Sequence, residues 1–296
     1  MLNKLAYGLI VYPISRMPFP MLYLFSDFLF FILFRLFGYR RTIVFENLKN
    51  SFPEKEEQEL RRIEREFYKH FCDIMVEGIK AFTISEEEAL KRMTYSNIDV
   101  VEKLAKKGKS ITFVGGHFGN WELLAITIAQ TIPHKVKALY TPLTGKYWDD
   151  KLTTSRSRFG LQMYTIKGVK DLRASLAGEL SGVIFGSDQS PSNPNKAYWL
   201  RFLNQDTGVQ FGAEKHAKDF DTAVVYGAIT RNKRGYYNTE LIELFDDVNH
   251  LEYGAVIESF TNILEEKIRE KPEHYLWTHR RWKHKMPQGM SLGQKL

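Results

Sequence analysis

The stretch Gly115-Gly-His-Phe-Gly-Asn-Trp-Glu122 gathers the residue types that acid–base chemistry needs. An imidazole titrates near neutral pH, so His117 can take a proton from a hydroxyl or amine and return it. Glu122 lies five residues on, and a carboxylate beside the ring would orient it and stabilise the imidazolium. Five residues of continuous helix turn through about 140°. The pair therefore meets only if His117 sits in a loop and Glu122 in the first helical turn, with Asn120 as the N-cap. Gly115, Gly116 and Gly119 allow a sharp turn and the close approach of a substrate. No serine or cysteine lies in the stretch, so the nucleophile would be the substrate's own hydroxyl or amine. Two rivals stay open. One is a histidine that only caps the turn. The other is a metal ligand joined by His134 or His216, although no H-E-x-x-H pattern is present and the spacing does not put two ligands on one helix face.

Positioning such a pair calls for a strand that ends at Gly115 and a helix that starts after Asn120, and the surrounding sequence predicts both. Strands are expected at Ser110–Val114, Val136–Tyr140, Leu161–Ile166, Gly182–Phe185, Ala223–Ile229 and Tyr236–Leu244. Helices are expected at Trp121–Thr131, Lys146–Arg158, Val169–Ala177 and Val256–Ile268. This alternation predicts an α/β fold with a mostly parallel central sheet flanked by helices. In such sheets ligands bind beyond the carboxyl ends of the strands. Upstream, Leu60, Ile63, Phe67, Phe71, Ile74, Ile79 and Phe82 recur at helical spacing. That helix is expected to open near Ser51, with Pro53 in its first turn and Arg61, Arg62, Glu64, Arg65, Glu66 and Lys69 on a solvated face. Ser85-Glu-Glu-Glu88 predicts a capping box. The four lysines between Lys103 and Lys109 read as a solvated loop, with phosphate binding as the alternative.

The first forty residues differ in texture. Phe19 to Phe37 reads FPMLYLFSDFLFFILFRLF, interrupted by Asp27 and Arg35. A spanning helix wants roughly 20 consecutive apolar residues, which this segment reaches only if Asp27 is tolerated. No small-residue cleavage site follows, so it does not read as a secretory signal. Apolar bulk bracketed by Arg16, Arg35, Arg40 and Arg41 predicts a membrane-associating segment over residues 1–38 on an anionic cytoplasmic leaflet, ahead of an α/β domain over 39–296. A buried hydrophobic helix is the alternative.

Composition narrows the class. Forty-two Lys and Arg against 35 Asp and Glu leave a net charge of +7, which points to an acidic partner: nucleic acid, an anionic membrane or an acidic protein. Hydrophobic residues at 44% and aromatics at 14% exclude intrinsic disorder. The single cysteine, Cys72, excludes an internal disulfide framework and any multi-cysteine metal site.

The His117 to Glu122 stretch resembles the H-x4-D/E signature of lysophospholipid acyltransferases, in the form found in the lipid A biosynthesis (late lauroyl/myristoyl) acyltransferases. Asn47-Leu-Lys-Asn-Ser-Phe-Pro-Glu54 resembles that family's approach to its first long helix. Ser157-Arg-Phe-Gly160 resembles its arginine block, and Gly186-Ser-Asp-Gln189 its aspartate–glutamine block. Glu273-His-Tyr-Leu-Trp-Thr-His-Arg-Arg-Trp-Lys283 resembles its closing motif. The resemblance covers roughly residues 40 to 285.

The resemblance implies transfer of a fatty acyl chain from a thioester to a hydroxyl of a lipid acceptor, on the cytoplasmic face of the inner membrane. His117 would be the base and Glu122 its partner. Arg158, with Arg156 as its alternative, would hold an anionic group or the oxyanion, and Asp188 would shape the acceptor pocket. Gly119 and Asn120 are candidate substrate-binding or oxyanion positions. No metal or resident cofactor is called for, because the thioester is already activated. The donor would be acyl carrier protein or acyl-CoA. The acceptor would be a lipid A precursor or related lysolipid, with a mannosylated phosphoinositide or an aminolipid as the alternative. A water acceptor would make the protein a hydrolase. The closing aromatic and basic residues would also suit a nucleic-acid binder, but that reading leaves His117, Glu122 and the phenylalanine-rich segment unexplained. In the acyltransferase reading Trp277 belongs to the core, and Arg280 and Arg281 lie near lipid or donor phosphates.

Overall fold

The computed structural model describes residues 2–294. Seven strands form one sheet in the order β1-β9-β8-β2-β5-β3-β4. They are β1 Met93–Ser96, β2 Ile111–Gly115, β3 Lys135–Tyr140, β4 Gln162–Thr165, β5 Ser181–Gly186, β8 Ala223–Lys233 and β9 Tyr236–Phe245. β8, β2, β5, β3 and β4 run parallel, while β9 is antiparallel to β8 and parallel to β1. This is the expected α/β architecture, with helices on both faces.

The two faces can be read from the strand alternation. Ile111, Phe113, Ala223 and Val225 pack with Val101, Leu104 and Ile128 on one side. Val114, Val224 and Tyr226 pack with Phe67, Phe260 and Trp277 on the other. A parallel sheet buried on both faces needs such near-continuous apolar strands, and β2 supplies Ile-Thr-Phe-Val.

The Trp121–Thr131 helix has the expected bounds, and the helices Lys146–Ser157, Val169–Ser175 and Ala255–Glu270 fall within two residues of theirs. Other elements differ. Ser51 is not a helix start. It closes the Arg41–Ser51 helix, where its hydroxyl accepts from Gln205 and its carbonyl from Asn204. Pro53 lies in the turn that follows, and the long helix runs from Glu57 to Lys80. On that helix Glu64 is buried rather than solvated, because Arg41 reaches it through two hydrogen bonds of 2.9 and 3.0 Å. Ser85 does cap the next helix, accepting from the Glu88 N–H at 3.2 Å, but the Glu88 carboxylate turns to Arg92 instead of closing the box.

Several elements carried no clear signal in the sequence, among them β1, the Ile98–Lys106 helix, the Gly212–Asp219 helix and the hairpin of β6 Ala197–Phe202 and β7 Gln205–Gln210. The hairpin turn is Leu203-Asn204, with φ of +48° and +62°. Two-residue hairpins need two left-handed residues and favour Asn-Gly or Asp-Gly. Here the leucine is held by its N–H donating to Glu265 at 2.7 Å, a tertiary contact that no local pattern shows.

The N-terminal helix Phe19–Leu36 lies against the long Glu57–Lys80 helix. Tyr23 donates to Glu77 at 2.8 Å, Ser26 to Asp73 at 2.7 Å, and the Phe34 ring packs tilted against Tyr68. Its one acidic residue, Asp27, pairs with Arg234 of the β8–β9 turn at 2.6 Å.

Candidate active site

β2 and β5 are parallel neighbours in the middle of the sheet, with Gly115 opposite Gly186. Two residues beyond those partners stand His117 and Asp188. The strand register therefore brings to one point two side chains that are 71 residues apart. Asp188 Oδ1 accepts from His117 Nδ1 at 2.7 Å, and Oδ2 accepts from the His117 backbone N–H at 3.0 Å. One carboxylate thus fixes both the ring and the backbone that carries it. With Nδ1–H donated to Asp188, Nε2 carries the lone pair that a general base requires, and the Gln189 amide donates to it.

The surroundings tune the pair. Burial pulls His117 toward neutrality, but the charge and hydrogen bond of Asp188, then the charge of Glu122, outweigh it against Arg156. The imidazole is accordingly raised above its usual value. Burial likewise opposes ionisation of Asp188, but the charge and two hydrogen bonds of His117, aided by Arg281, hold its carboxyl below the usual range. Gln189 places its amide nitrogen 3.2 Å from His117 Nε2, and the Trp121 ring stands edge-on to the imidazole at 5.2 Å. The segment after Asp188 is fixed by the Ser190 N–H, which donates to His279 Nε2 at 2.9 Å.

Glu122 does not make the contact expected of it. It stands in the first turn of the Trp121–Thr131 helix and binds Arg156 through two hydrogen bonds, 2.6 and 3.1 Å, with a third from Trp121 at 3.2 Å. It acts on His117 through its charge, while the orienting hydrogen bond comes from Asp188. Arg158 is displaced from its expected role for a similar reason. Its guanidinium donates to the carbonyls of Ala81 and Ile84 at 2.9 and 2.8 Å, tying the end of the Lys146–Ser157 helix to the loop after the long helix. Arg156, two residues earlier, is the arginine that reaches the site.

Gly119 and Asn120 are likewise structural. Gly119 has φ +64°, a Cβ there would lie 2.5 Å from Ile229 Cγ2, and its N–H is taken by the His274 carbonyl at 3.1 Å. With the His117 N–H given to Asp188, neither of these two N–H groups is free for an oxyanion. Asn120 caps its helix as expected, accepting from the Leu123 N–H at 2.9 Å, and donates to buried Glu77 at 2.6 Å. Gly116 also needs its lack of a side chain, since a Cβ would meet Leu264 at 2.8 Å.

A cleft of about 530 Å³ opens beside His117. Its inner wall is hydrocarbon, with Leu124, Ile128, Ala138, Leu161 and Met163, while His117, Arg156 and Gln189 supply polar groups. This size and mixture fit an extended apolar ligand whose reactive end is polar. Among the described residues no group of three His, Cys, Asp or Glu is placed to hold a metal. His134 Nε2–H donates to the Lys109 carbonyl and His216 contacts Thr112, so neither joins His117.

The chain's sequence relatives agree with this chemistry. The family model described as bacterial lipid A biosynthesis acyltransferase matches residues 4–284. The chain belongs to that family. A lipid A biosynthesis palmitoleoyltransferase of Escherichia coli is 21% identical over 248 residues, covering 82% of this chain and 79% of that protein. A lipid A biosynthesis acyltransferase of Haemophilus influenzae is 26% identical over 246 residues, covering 82% and 78%. The protein is thus an acyl-transferring enzyme.

The basic clusters resolve differently from their alternatives. Lys103, Lys107 and Lys109 pair with Glu243, Asp246 and Asp221, so that run is not a free phosphate site. Trp277 is fully buried, as expected of a core residue. Arg281 is buried too, donating to the Gly208 carbonyl at 2.8 Å, and therefore does not reach lipid or donor phosphates. Arg280 is exposed.

Proposed function

We propose that this acyltransferase moves a fatty acyl chain from a thioester, carried by acyl carrier protein or CoA, to a hydroxyl of a lipid A precursor or related lysolipid. The reaction would run at the cytoplasmic face of the inner membrane. The observation that carries the reading is that His117, its ring fixed by Asp188 through Nδ1, lines a cleft walled largely by hydrocarbon.

The acyl chain lies in the cleft with its thioester carbonyl at His117. Nε2 takes the proton of the acceptor hydroxyl as the oxygen attacks the carbonyl carbon, and a C–O bond forms. The resulting oxyanion is met by the Gln189 amide and by Arg156, whose charge is partly spent on Glu122. Collapse breaks the C–S bond, and the leaving thiolate takes the proton from the imidazolium. Asp188 stabilises that imidazolium throughout. General-base catalysis contributes about 10²–10⁴ in rate, and each oxyanion donor about 2.7–4 kcal/mol. Burying the chain contributes about 0.8 kcal/mol per methylene. No metal step is required.

The test is transfer by the purified protein from matched acyl carrier protein and CoA thioesters to a lipid A precursor, a lysophospholipid, a mannosylated phosphoinositide, an aminolipid and water, read by mass spectrometry. Esterification of the lipid A precursor above the rate of hydrolysis supports the reading. Transfer only to another lipid reassigns the acceptor, and hydrolysis alone removes the proposal. Binding to nucleic acid at moderate salt would revive the discarded class.

A further inference from the structure

The helix Phe19–Leu36 is apolar enough to cross a bilayer, and at 18 residues it would extend about 27 Å, close to the hydrocarbon thickness. Its packing decides against crossing. It runs antiparallel along the long Glu57–Lys80 helix, so that Tyr23 meets Glu77, Ser26 meets Asp73 and Phe34 meets Tyr68. Those contacts span three turns, and Asp27 adds the ion pair to Arg234, which itself binds Asp73. A helix threaded through a membrane would strip Glu77, Asp73 and Arg234 of these partners or carry them into hydrocarbon, where charges are costly.

The opposite face is unpartnered. Leu22 and Ser26 are buried, whereas Leu24 is 72% exposed, Phe28 57% and Phe37 77%, with Met21 and Phe31 beside them. The preceding helical turns continue this surface. Tyr7 packs on Phe82, Tyr147 and Trp148, while Leu9 and Ile10 point outward. Arg16 and Arg35 stand exposed along the same segment. Bulky apolar side chains with exposed cations at the margins are the complement of an anionic leaflet. The surface also borders the cleft. Tyr147 and Trp148 belong to the helix whose Leu152 and Arg156 line it, and Leu143 and Ile166 are both lining residues and exposed.

We propose that the protein is monotopic: the Phe19–Leu36 helix lies in the plane of one anionic leaflet, held by the long helix, with Leu24, Phe28, Phe31 and Phe37 among the acyl chains and the cleft opening at the same level. A lipid acceptor then reaches His117 from within the leaflet without leaving it for water. The proposal takes its membrane setting from the function proposed above, but its test reads topology and partition, not acyl transfer.

Cys72 is the one cysteine and is buried, so reporter cysteines can be placed singly. Asn3→Cys and Ser291→Cys lie on either side of the apolar helix. In cell membranes, both are expected to react with an impermeant maleimide only when the cytoplasmic face is exposed. Labelling of Asn3→Cys and Ser291→Cys from opposite faces would overturn the proposal. A second measurement uses vesicles of phosphatidylethanolamine and phosphatidylglycerol. The paired change Phe28→Asp and Phe37→Asp is expected to weaken partition at least tenfold, with unfolding temperature unchanged. Equal partition of the double variant would overturn it, as would a native protein that is a water-soluble dimer without affinity for the vesicles.

Discussion

Two regions supply a carboxylate to the neighbourhood of His117, and they do so by opposite means. The first turn of the Trp121–Thr131 helix carries Glu122, five residues away along the chain. The tip of β5 carries Asp188, brought across by strand register. The near residue in sequence is the remote one in bonding: Glu122 spends its two oxygens on Arg156, while Asp188 holds both Nδ1 and the backbone N–H of His117. Sequence proximity placed Glu122 in the electrostatic field of the base. Sheet topology placed Asp188 in its hydrogen bond. The two carboxylates therefore do different work, one as an orienting partner and one as the anchor of an arginine.

That division can be broken by substitution. His117→Ala removes the side chain proposed as the base, and transfer is expected to fall about 10³-fold in a folded protein, within the range for lost general-base catalysis. Near wild-type turnover would end the account. Asp188→Asn removes the charge and disturbs the tautomer, and a loss of about 10²–10³ in kcat is expected, with KM for the acyl donor little changed. Glu122→Gln leaves the imidazole hydrogen bond in place and frees Arg156, so a loss of about tenfold is expected. Because Glu122 and Arg156 act as one unit, adding Arg156→Gln should cost less than the separate losses predict, which a double-mutant cycle measures. Arg158→Ala is expected to leave kcat unchanged and to lower stability by about 1 kcal/mol, read by denaturant unfolding, since it removes hydrogen bonds to two loop carbonyls and no site contact.

Much of this arrangement was legible in the sequence. The apolar run that ends in Gly115, the cap at Asn120 and the Trp121 helix follow from local pattern. So does a mostly parallel sheet with its chemistry at the strands' carboxyl ends. The partner of His117 was not legible from spacing along one segment, because it depends on which strand lies beside β2. A signal was present all the same. Phe185-Gly-Ser-Asp188 repeats the layout of Val114-Gly-Gly-His117, an apolar run, a glycine and a polar group two residues past it. Two parallel strands with that layout face their polar groups to each other. Arg156 and Arg158 illustrate the opposite limit. They lie two residues apart at the end of one helix, about 200° around it, and only the loop near Ala81 decides which one is drawn away. The burial of Glu64 and Arg281 is not legible locally, because nothing in their own segments reveals Arg41 or the Gly208 carbonyl.

The most direct test of the central claim is the pH dependence of kcat/KM in the wild type, Asp188→Asn and Glu122→Gln side by side. A general base must be neutral, so the rate rises with pH through the pKa of His117, which in the wild type lies above the usual histidine value. Removing Asp188 deletes the strongest influence that raises it, and the rise should move clearly to lower pH while the plateau drops. Removing the charge of Glu122 should move the rise in the same direction by less. A limb that shifts as far in Glu122→Gln as in Asp188→Asn, or that stays fixed in Asp188→Asn, would contradict the assignment of Asp188 as the partner of the base.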